Sequence, residues 1–256
     1  MSAHILVEQL GPIVKITMNR PEKKNAITLA MYDAMTAALT EAAATSTSRV
    51  IVLAGHTSIF SSGNDIADFM AAANGGDIAA PLRFLRALAA LNKPVVAAVH
   101  GPAIGIGTTM LLHCDFIYAA TDARFKTPFV DLALVPEAAS SLILPTLVGQ
   151  RRAAQLLQLG AELSAETALD WGLITAVATG SDTPEALAMQ TAQTLASRAP
   201  SALQATKALC HRHDRDAILQ TIDIEGEQFL ARLKSPEAGE AFAAFMQRRA
   251  PDFSKF

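Results

Sequence analysis

An uncharged stretch from Pro94 to Cys114 constrains the fold of this chain more than any other segment. It contains no Asp, Glu, Lys or Arg, so it has to be buried, either in a membrane or in a protein core. Gly101, Pro102, Gly105 and Gly107 interrupt it at intervals too short for a membrane-spanning helix. The stretch therefore predicts a buried strand, a turn and a buried helix.

Segments of strand type and helix type alternate through the first half of the chain. Runs rich in β-branched residues at 5–10 and 13–18 are separated by Gly11-Pro12 and predict a hairpin. Thr28 predicts the N-cap of a helix that continues to about residue 44, and Asn74-Gly75-Gly76 predicts a helix end. We expect further strands at 49–54, 94–99 and 116–119, and further helices at 65–73, 81–91 and 105–113. This alternation is typical of an α/β fold.

The second half of the chain is predominantly helical. Helices are predicted at 151–159 and 184–197, and a third helix is predicted to begin after an N-cap at Ser164. Residues 168–177 predict the end of that helix, Gly172 and a short strand. Arg198-Ala199-Pro200 is the best candidate for a boundary. We therefore predict a core of residues 1–197 and a C-terminal helical region of residues 198–256.

Composition excludes several classes of protein. The net charge of -3 argues against non-specific nucleic-acid binding, which requires a basic face. The two cysteines, Cys114 and Cys210, are far apart and suggest neither a disulfide framework nor a zinc site. The first residues lack the pattern of a signal peptide, so we expect a cytoplasmic protein. The hydrophobic fraction of 51% fits either a deep core or surface covered by sister subunits.

Glu137 is the most notable candidate for chemistry. It follows Pro136 within FKTPFVDLALVPEAASS, where almost every neighbour is apolar. A carboxylate in such surroundings is either exposed on a loop or held against an apolar wall. If it is held, burial raises its pKa toward the range that is useful for proton transfer.

Two glycine-containing loops, at 60–65 and 101–107, each follow a buried strand and precede a helix. Free backbone N–H groups at a helix start favour negative charge. Each loop alone is consistent with a simple turn, whereas two N–H groups that converge on one point would form an oxyanion hole. The sequence lacks the dinucleotide-binding, phosphate-binding-loop and G-x-S-x-G signatures.

The motifs FSSGNDI, KPVVAAVHGPAIGIG, CDFIYA, FKTPF and LVPEAASS follow one another in this order. The order is similar to that of the crotonase (enoyl-CoA hydratase/isomerase) superfamily, and the likeness runs through nearly the whole chain. The segments SSGND, TPF and PEAASS most resemble the peroxisomal-type Δ3,Δ2-enoyl-CoA isomerases. Ala138 stands where those enzymes usually have glycine after the catalytic glutamate.

The resemblance implies an acyl-CoA thioester substrate and a role for several positions. The thioester oxygen would lie between the backbone N–H groups of Asn64 and Ile106, with Glu137 as the catalytic base. The two glutamates that hydratases of the family use match Thr109 and Phe129, neither of which exchanges a proton at neutral pH. The resemblance therefore implies an isomerase that moves a 3-enoyl-CoA double bond to the trans-2 position, as in β-oxidation of fatty acids.

The resemblance also implies the fold, the assembly and further contacts. We expect a ββα spiral core with a C-terminal helical region used in trimerisation, as a homotrimer or a dimer of trimers. We expect no metal, no separate cofactor, no nucleic acid and no membrane, since coenzyme A is part of the substrate. The predicted substrate-binding residues are Ser61, Ser62, Gly63, Asp65, Ile66, Gly105, Phe129 and Lys24. Lys23, Lys24 and Lys207 are candidates for the CoA phosphates, or simply surface charges.

Alternatives stay open at this point. The chain could be an enoyl-CoA hydratase, a non-catalytic acyl-CoA-binding homologue, or a thioester hydrolase that uses Asp131. We expect Asp131 to be exposed or structural, Asp65 to cap its helix, and His100 to be a hydrogen-bonded core residue. Ser140 and Ser141 either hydrogen-bond Glu137 or begin a helix.

Overall fold

The computed structural model describes residues 2–73 and 79–256, and in these ranges it contains two β-sheets surrounded by helices. The strands are β1 (Ile5–Leu10), β2 (Ile13–Met18), β3 (Val50–Ala54), β4 (Val95–Val99), β5 (Pro102–Ile104), β6 (Phe116–Ala120), β7 (Arg124–Lys126), β8 (Leu163–Ser164) and β9 (Ala176–Ala178).

The helices lie between and after these strands. They are α1 (Leu29–Ala44), α2 (Ile66–Ala73), α3 (Ala79–Ala89), α4 (Ile106–Thr109), α5 (Ser140–Val148), α6 (Gln150–Leu157), α7 (Ala165–Asp170), α8 (Pro184–Ala196), α9 (Pro200–Cys210), α10 (Arg215–Leu233) and α11 (Pro236–Met246). Short 3-10 turns lie at Pro21–Lys23, Met110–His113, Val130–Leu132 and Phe253–Lys255.

The larger sheet has the strand order β1-β2-β3-β4-β6-β9. Only β1 and β2 pair antiparallel, and every other neighbouring pair in this sheet is parallel. Strands β3 and β4 are buried throughout because helices cover both faces of the sheet. Alanines of α8 cover one face, and α1 and α3 pack on the other side of the core.

The smaller sheet, in the order β5-β7-β8, was not expected from the sequence. Strand β5 lies within the second glycine loop: it begins directly after Gly101, pairs parallel with β7, and ends before Gly105. This sheet therefore positions one of the two loops of the candidate site.

Most predicted elements are present near their expected bounds. Gly11 adopts a φ of 61° between β1 and β2, and Thr28 and Ser164 cap α1 and α7 as predicted. The single helix expected at 105–113 is wrong, because α4 ends at Thr109 and a 3-10 turn follows it. The helix end predicted at Asn74-Gly75-Gly76 lies outside the described residues.

The C-terminal helices pack on the core of their own chain. Helix α10 contacts α2, α3 and α5, while α11 contacts the 3-10 turn at Val130–Leu132. The predicted role of residues 198–256 in trimerisation stays a prediction. Within residues 2–73 and 79–256, no helix combines the length and apolar character that crossing a membrane requires.

Candidate active site

The two glycine loops predicted from the sequence lie side by side. The Ser61 N–H donates to the Pro102 carbonyl at 3.1 Å, and the Ile104 N–H donates to the Ser61 carbonyl at 2.9 Å. Gly63 and Gly105 follow these contacts with φ values of +95° and +56°, which L side chains rarely adopt. A Cβ at Gly63 would lie 3.1 Å from the Ile104 carbonyl oxygen. Glycine therefore allows both the turn and the close approach of the loops.

The backbone N–H groups of Asn64 and Ile106 come directly after these two glycines. Neither N–H group donates a hydrogen bond to any atom of the chain as described at residues 2–73 and 79–256. Ile106 begins α4 and is fully buried, so its N–H belongs to the positive end of a short helix. Both groups are therefore free to bind an external oxygen.

A buried asparagine supports the first loop, and sequence reasoning did not identify it. The Asn25 side chain accepts a hydrogen bond from the Arg20 N–H at 2.7 Å. Its amide nitrogen donates to the carbonyls of Met18, Ile59 and Phe60. The network joins the end of β2 to the first glycine loop. Asn25 itself has a φ of 50°, a left-handed conformation that asparagine tolerates better than most residues.

Glu137 directly precedes a strained turn and is almost fully buried, with 8% of its surface exposed. Ala138 and Ala139 follow it with φ values of 63° and 54°, so Ala138 adopts the left-handed conformation without being glycine. The Ser140 hydroxyl donates to the Glu137 carbonyl at 2.6 Å. Ser140 begins α5, which was one of the two expectations for it. Its hydroxyl bonds the backbone carbonyl of Glu137 and leaves the carboxyl group of Glu137 free of this contact.

The carboxyl group of Glu137 is in an unusual state for a buried acid. Its Oε1 is buried and has no hydrogen-bond partner among the described residues. Burial raises the pKa of Glu137 to about 8, with a further contribution from the negative charge of Glu225. Buried polar atoms are normally hydrogen-bonded, so an unpaired carboxyl oxygen points to a functional role.

A second acid, Glu225 on α10, lies behind the turn that follows Glu137. Its carboxylate accepts hydrogen bonds from the Ala139 N–H at 2.6 Å, the Ser141 N–H at 2.9 Å and the Ser141 hydroxyl at 2.5 Å. His113 Nε2 contacts the Ala138 carbonyl at 2.9 Å from the other side. Burial lowers the pKa of His113 to about 4, so the ring is neutral and donates. Neither Glu225 nor His113 was identified from the sequence.

One cavity of about 370 Å³ contains most of the predicted site residues. Glu137 opens into it together with the first loop, the second loop and aromatic side chains of α10 and α11. The predicted residues among its lining are Ser62, Gly63, Asn64, Ile66, Gly105, Phe129 and Glu137. A largely apolar cavity that contains the buried acid Glu137, with two free N–H groups in the adjoining loops, can remove a proton next to a carbonyl and stabilise the resulting anion.

The remaining predicted residues lie outside the cavity lining, and they include Ile106, which is fully buried. Ser61 is buried and donates to the Asn25 carbonyl at 2.9 Å. Asp65 accepts from the Ala67 N–H at 3.0 Å at the start of α2, and it pairs with Arg20 at 2.7 Å, so it caps this helix as expected. Lys24 is exposed. A direct contact of these residues with a substrate stays a prediction.

Other candidates from the sequence have structural partners. Asp131 is exposed at the cavity and pairs with Lys126 at 3.2 Å. Lys207 pairs with Asp115 at 2.7 Å, and His100 hydrogen-bonds Glu185.

The two positions that match hydratase glutamates hold no acid. Thr109 is fully buried in α4, where its hydroxyl contacts the Gly105 carbonyl at 3.4 Å. Phe129 is 4% exposed and lies in the cavity wall.

The fold agrees with a comparison to known families. A family profile described as Enoyl-CoA hydratase/isomerase matches residues 8–255. The chain belongs to the enoyl-CoA hydratase/isomerase family. The expected resemblance to the crotonase superfamily is confirmed, and so is the expected fold.

Individual members of the family include isomerases and hydratases. The chain is 37% identical to Enoyl-CoA delta isomerase 2 of Rattus norvegicus over 254 residues, which cover 97% of this chain and 64% of the rat protein. It is 32% identical to 2,3-dehydroadipyl-CoA hydratase of Escherichia coli (strain K12), with 98% of each chain covered. The solved structure of Pseudomonas aeruginosa OdaA is 44% identical, with a TM-score of 0.92 over 96% of this chain and 100% of that one.

Proposed function

We propose that this member of the enoyl-CoA hydratase/isomerase family isomerises 3-enoyl-CoA to trans-2-enoyl-CoA, with Glu137 as its single catalytic base. The observation that carries the proposal is the buried Glu137 carboxyl, which has a raised pKa and an Oε1 without a partner among the described residues. Similarity to a delta isomerase over 97% of the chain supports the same reaction class. The reaction requires no metal and no cofactor beyond the CoA of the substrate.

The chemistry requires one base and one site for negative charge. Ionised Glu137 removes a proton from C2. The electron pair of the broken C–H bond forms a C1=C2 double bond, and the carbonyl π electrons move to the thioester oxygen, which gives a dienolate that keeps C3=C4. The charge of this intermediate lies on the thioester oxygen, which the Asn64 and Ile106 N–H groups would bind. Loss of one such donor typically costs about 3 kcal/mol of transition-state stabilisation. Glu137 then returns the proton to C4. When C4 takes up the proton, the C3=C4 electrons form the new C–H bond, the C1=C2 electrons form C2=C3, and the carbonyl forms again, so the double bond is conjugated with the carbonyl.

Hydration is the second candidate, because one relative of similar coverage is named as a hydratase. Addition of water requires a positioned water and an acid–base pair. Thr109 and Phe129 occupy the two matching positions, and Phe129 adds an apolar side chain to the cavity wall. These residues favour isomerisation over hydration.

The experiment is product identification with purified protein and cis-3-hexenoyl-CoA. We expect the conjugated thioester to form. Its absorbance monitors the reaction, and mass spectrometry should show a product of the same mass as the substrate, with no water added. Glu137→Gln should reduce kcat by more than about 100-fold, as expected for loss of general-base catalysis. Glu8→Gln, which changes an exposed residue of β1, is the matched control and should retain full activity. Full activity of Glu137→Gln would disprove the assignment, and a product heavier by one water would favour the hydratase.

Self-association of the chain, as a homotrimer or a dimer of trimers, is part of the proposal. Leu142 and Leu147 of α5 and Phe245 of α11 are exposed large apolar side chains, which suit an interface. Light scattering of the purified chain tests it, and a monomeric mass would contradict it.

A further inference from the structure

We propose that Glu225 on α10 is a positioning residue for Glu137: it fixes the strained turn that follows Glu137 and places a negative charge beside it. The inference rests on the proposed role of Glu137 as a base. Glu225 lies outside the cavity lining, so it acts on Glu137 through its contacts with the turn and through its charge.

The backbone after Glu137 requires an external support. Ala138 and Ala139 both have left-handed φ values, of 63° and 54°, and this conformation is unfavourable for L residues because Cβ approaches the following carbonyl oxygen. The N–H groups at the start of α5 have no partner within that helix. Glu225 accepts from two of these N–H groups, those of Ala139 and Ser141, at 2.6 and 2.9 Å.

The opposite side of the turn is held by a neutral group. His113 donates to the Ala138 carbonyl at 2.9 Å, and the same residue carries no charge at neutral pH because burial holds its pKa near 4. The turn is thus fixed between a neutral donor and a carboxylate acceptor. This arrangement leaves the negative charge of Glu225 uncompensated by His113.

The contacts of Glu225 favour its ionised form. All three of its partners donate hydrogen bonds, and an ionised carboxylate accepts such bonds best. Burial raises the pKa of Glu225, and the bonds from Ser141 and Ala139 oppose that rise. Glu137 Oε1 has no such donor among the described residues. Of the two carboxyl groups, Glu137 is therefore the one that keeps its proton.

Other titratable groups near Glu137 do not supply this charge. The Tyr32 phenol on α1 is buried, and its pKa is raised well above the usual value, so it is neutral. The charged residues that line the same cavity are Lys126, Asp131 and Arg249. Asp131 is paired with Lys126, and Arg249 with Glu240. Glu225 is the acid whose charge acts on the Glu137 carboxyl and makes it a stronger base.

The test compares Glu225→Gln with Glu227→Gln, which removes the same charge from an exposed position on the same helix. Glutamine keeps the size of Glu225 and one acceptor oxygen, so the fold should be retained. The primary readout is the titration of the Glu137 carboxyl by ¹³C NMR without substrate, assigned by its loss in Glu137→Gln. We expect the midpoint to move about one pH unit lower in Glu225→Gln and to stay in place in Glu227→Gln.

Kinetics provide the second readout. The rising limb of kcat/KM against pH should move to lower pH together with the NMR midpoint, while the high-pH plateau of kcat falls. An unchanged Glu137 midpoint in Glu225→Gln would overturn the proposal, even if activity falls, because a purely structural role would not move it. The NMR titration needs no turnover, so it remains decisive if the isomerase assignment itself fails.

A second variant covers the case in which Glu225→Gln does not fold. Ser141→Ala removes one donor from Glu225 and leaves the charge in place. We expect kcat to fall about 3-fold to 10-fold with little change in KM, because the turn loses one ordinary hydrogen bond while the two backbone N–H contacts and the charge of Glu225 remain. Wild-type kcat in this variant would contradict a role for the contact.

Discussion

Tyr32 donates its phenolic hydroxyl to the side-chain oxygen of Asn64, and this bond joins helix α1 to the first glycine loop. The phenol is fully buried and packs against Phe84, with ring centroids 5.5 Å apart. Burial, and then the charge of Glu137, raises the pKa of Tyr32, so the hydroxyl keeps its proton and continues to donate. The backbone N–H of the same Asn64 is one of the two groups proposed to bind the thioester oxygen.

Tyr32→Phe should therefore affect both stability and turnover. Loss of the hydroxyl leaves the Asn64 oxygen without its donor and should lower the free energy of unfolding by about 1–2 kcal/mol. Because the loop loses a support near the oxyanion site, kcat should fall more than KM rises. Tyr118→Phe is the control, since Tyr118 bonds Thr191 on α8 and lies outside the cavity lining. Equal kinetic effects of the two variants would show that the Asn64 contact has no special role.

Gly63→Ala should inactivate the protein through local geometry. The added Cβ would meet the Ile104 carbonyl at 3.1 Å, and the φ of +95° strains any L residue. The loop has to shift, and the Asn64 N–H shifts with it. We expect kcat to fall by about 100-fold, comparable to loss of an oxyanion donor.

Gly11→Ala is the control that separates the effect of backbone strain from the steric effect of the added Cβ. Gly11 also has a positive φ, of +61°, but a Cβ there meets nothing within 4 Å. We expect a loss of about 1 kcal/mol in stability and no change in kcat. A fully active Gly63→Ala would contradict the proposed role of the loop.

The titration of Glu137 predicts how stability depends on pH. In the unfolded chain this acid loses its proton near pH 4.5, whereas in the folded protein it keeps the proton to about pH 8. Between these values the folded state binds more protons, so this group makes the free energy of unfolding fall as pH rises. Glu137→Gln removes the effect, so its gain in stability over the wild type should grow through this range and reach a few kcal/mol near pH 8.

Urea unfolding of both proteins at a series of pH values measures the difference. The gain in Glu137→Gln should be small near pH 4.5 and largest at and above pH 8. Glu8→Gln should show no comparable trend. Parallel stability curves for Glu137→Gln and the wild type would mean that Glu137 is not a buried acid with a raised pKa.

The larger sheet and its helices were predictable because their signals are local. Thr28 and Ser164 have the side chains of an N-cap, and β3 and β4 have the uninterrupted apolar runs of doubly covered strands. Strand β5 has only 3 residues, too few for a periodic pattern, so the smaller sheet was not predicted. The early end of α4 was not predicted either, because Thr109 and the residues after it include no Gly or Pro that would end a helix.

The site was predictable in its reactive residues and not in their supports. Glu137 and the two loops lie within short motifs, whereas Asn25, His113 and Glu225 contribute through bonds to distant backbone atoms. The bond from Ala139 to Glu225 spans 86 residues, and no local pattern encodes such a pairing. In the sequence, Glu225 is one of several charged residues on α10, and a charged residue on such a helix is ordinarily exposed to solvent.

The hydrogen bond between Ala139 and Glu225 also concerns the order in which the chain is synthesised. A ribosome completes the segment around Glu137 well before it reaches Glu225 on α10, which lies 86 residues after Ala139. During that interval a nascent chain has its glutamate but neither the partner acid nor the helical cover that dehydrates it. Such an intermediate lacks the contacts that bury the Glu137 carboxyl, so we expect this carboxyl to acquire its raised pKa only after α10 has been synthesised and has packed.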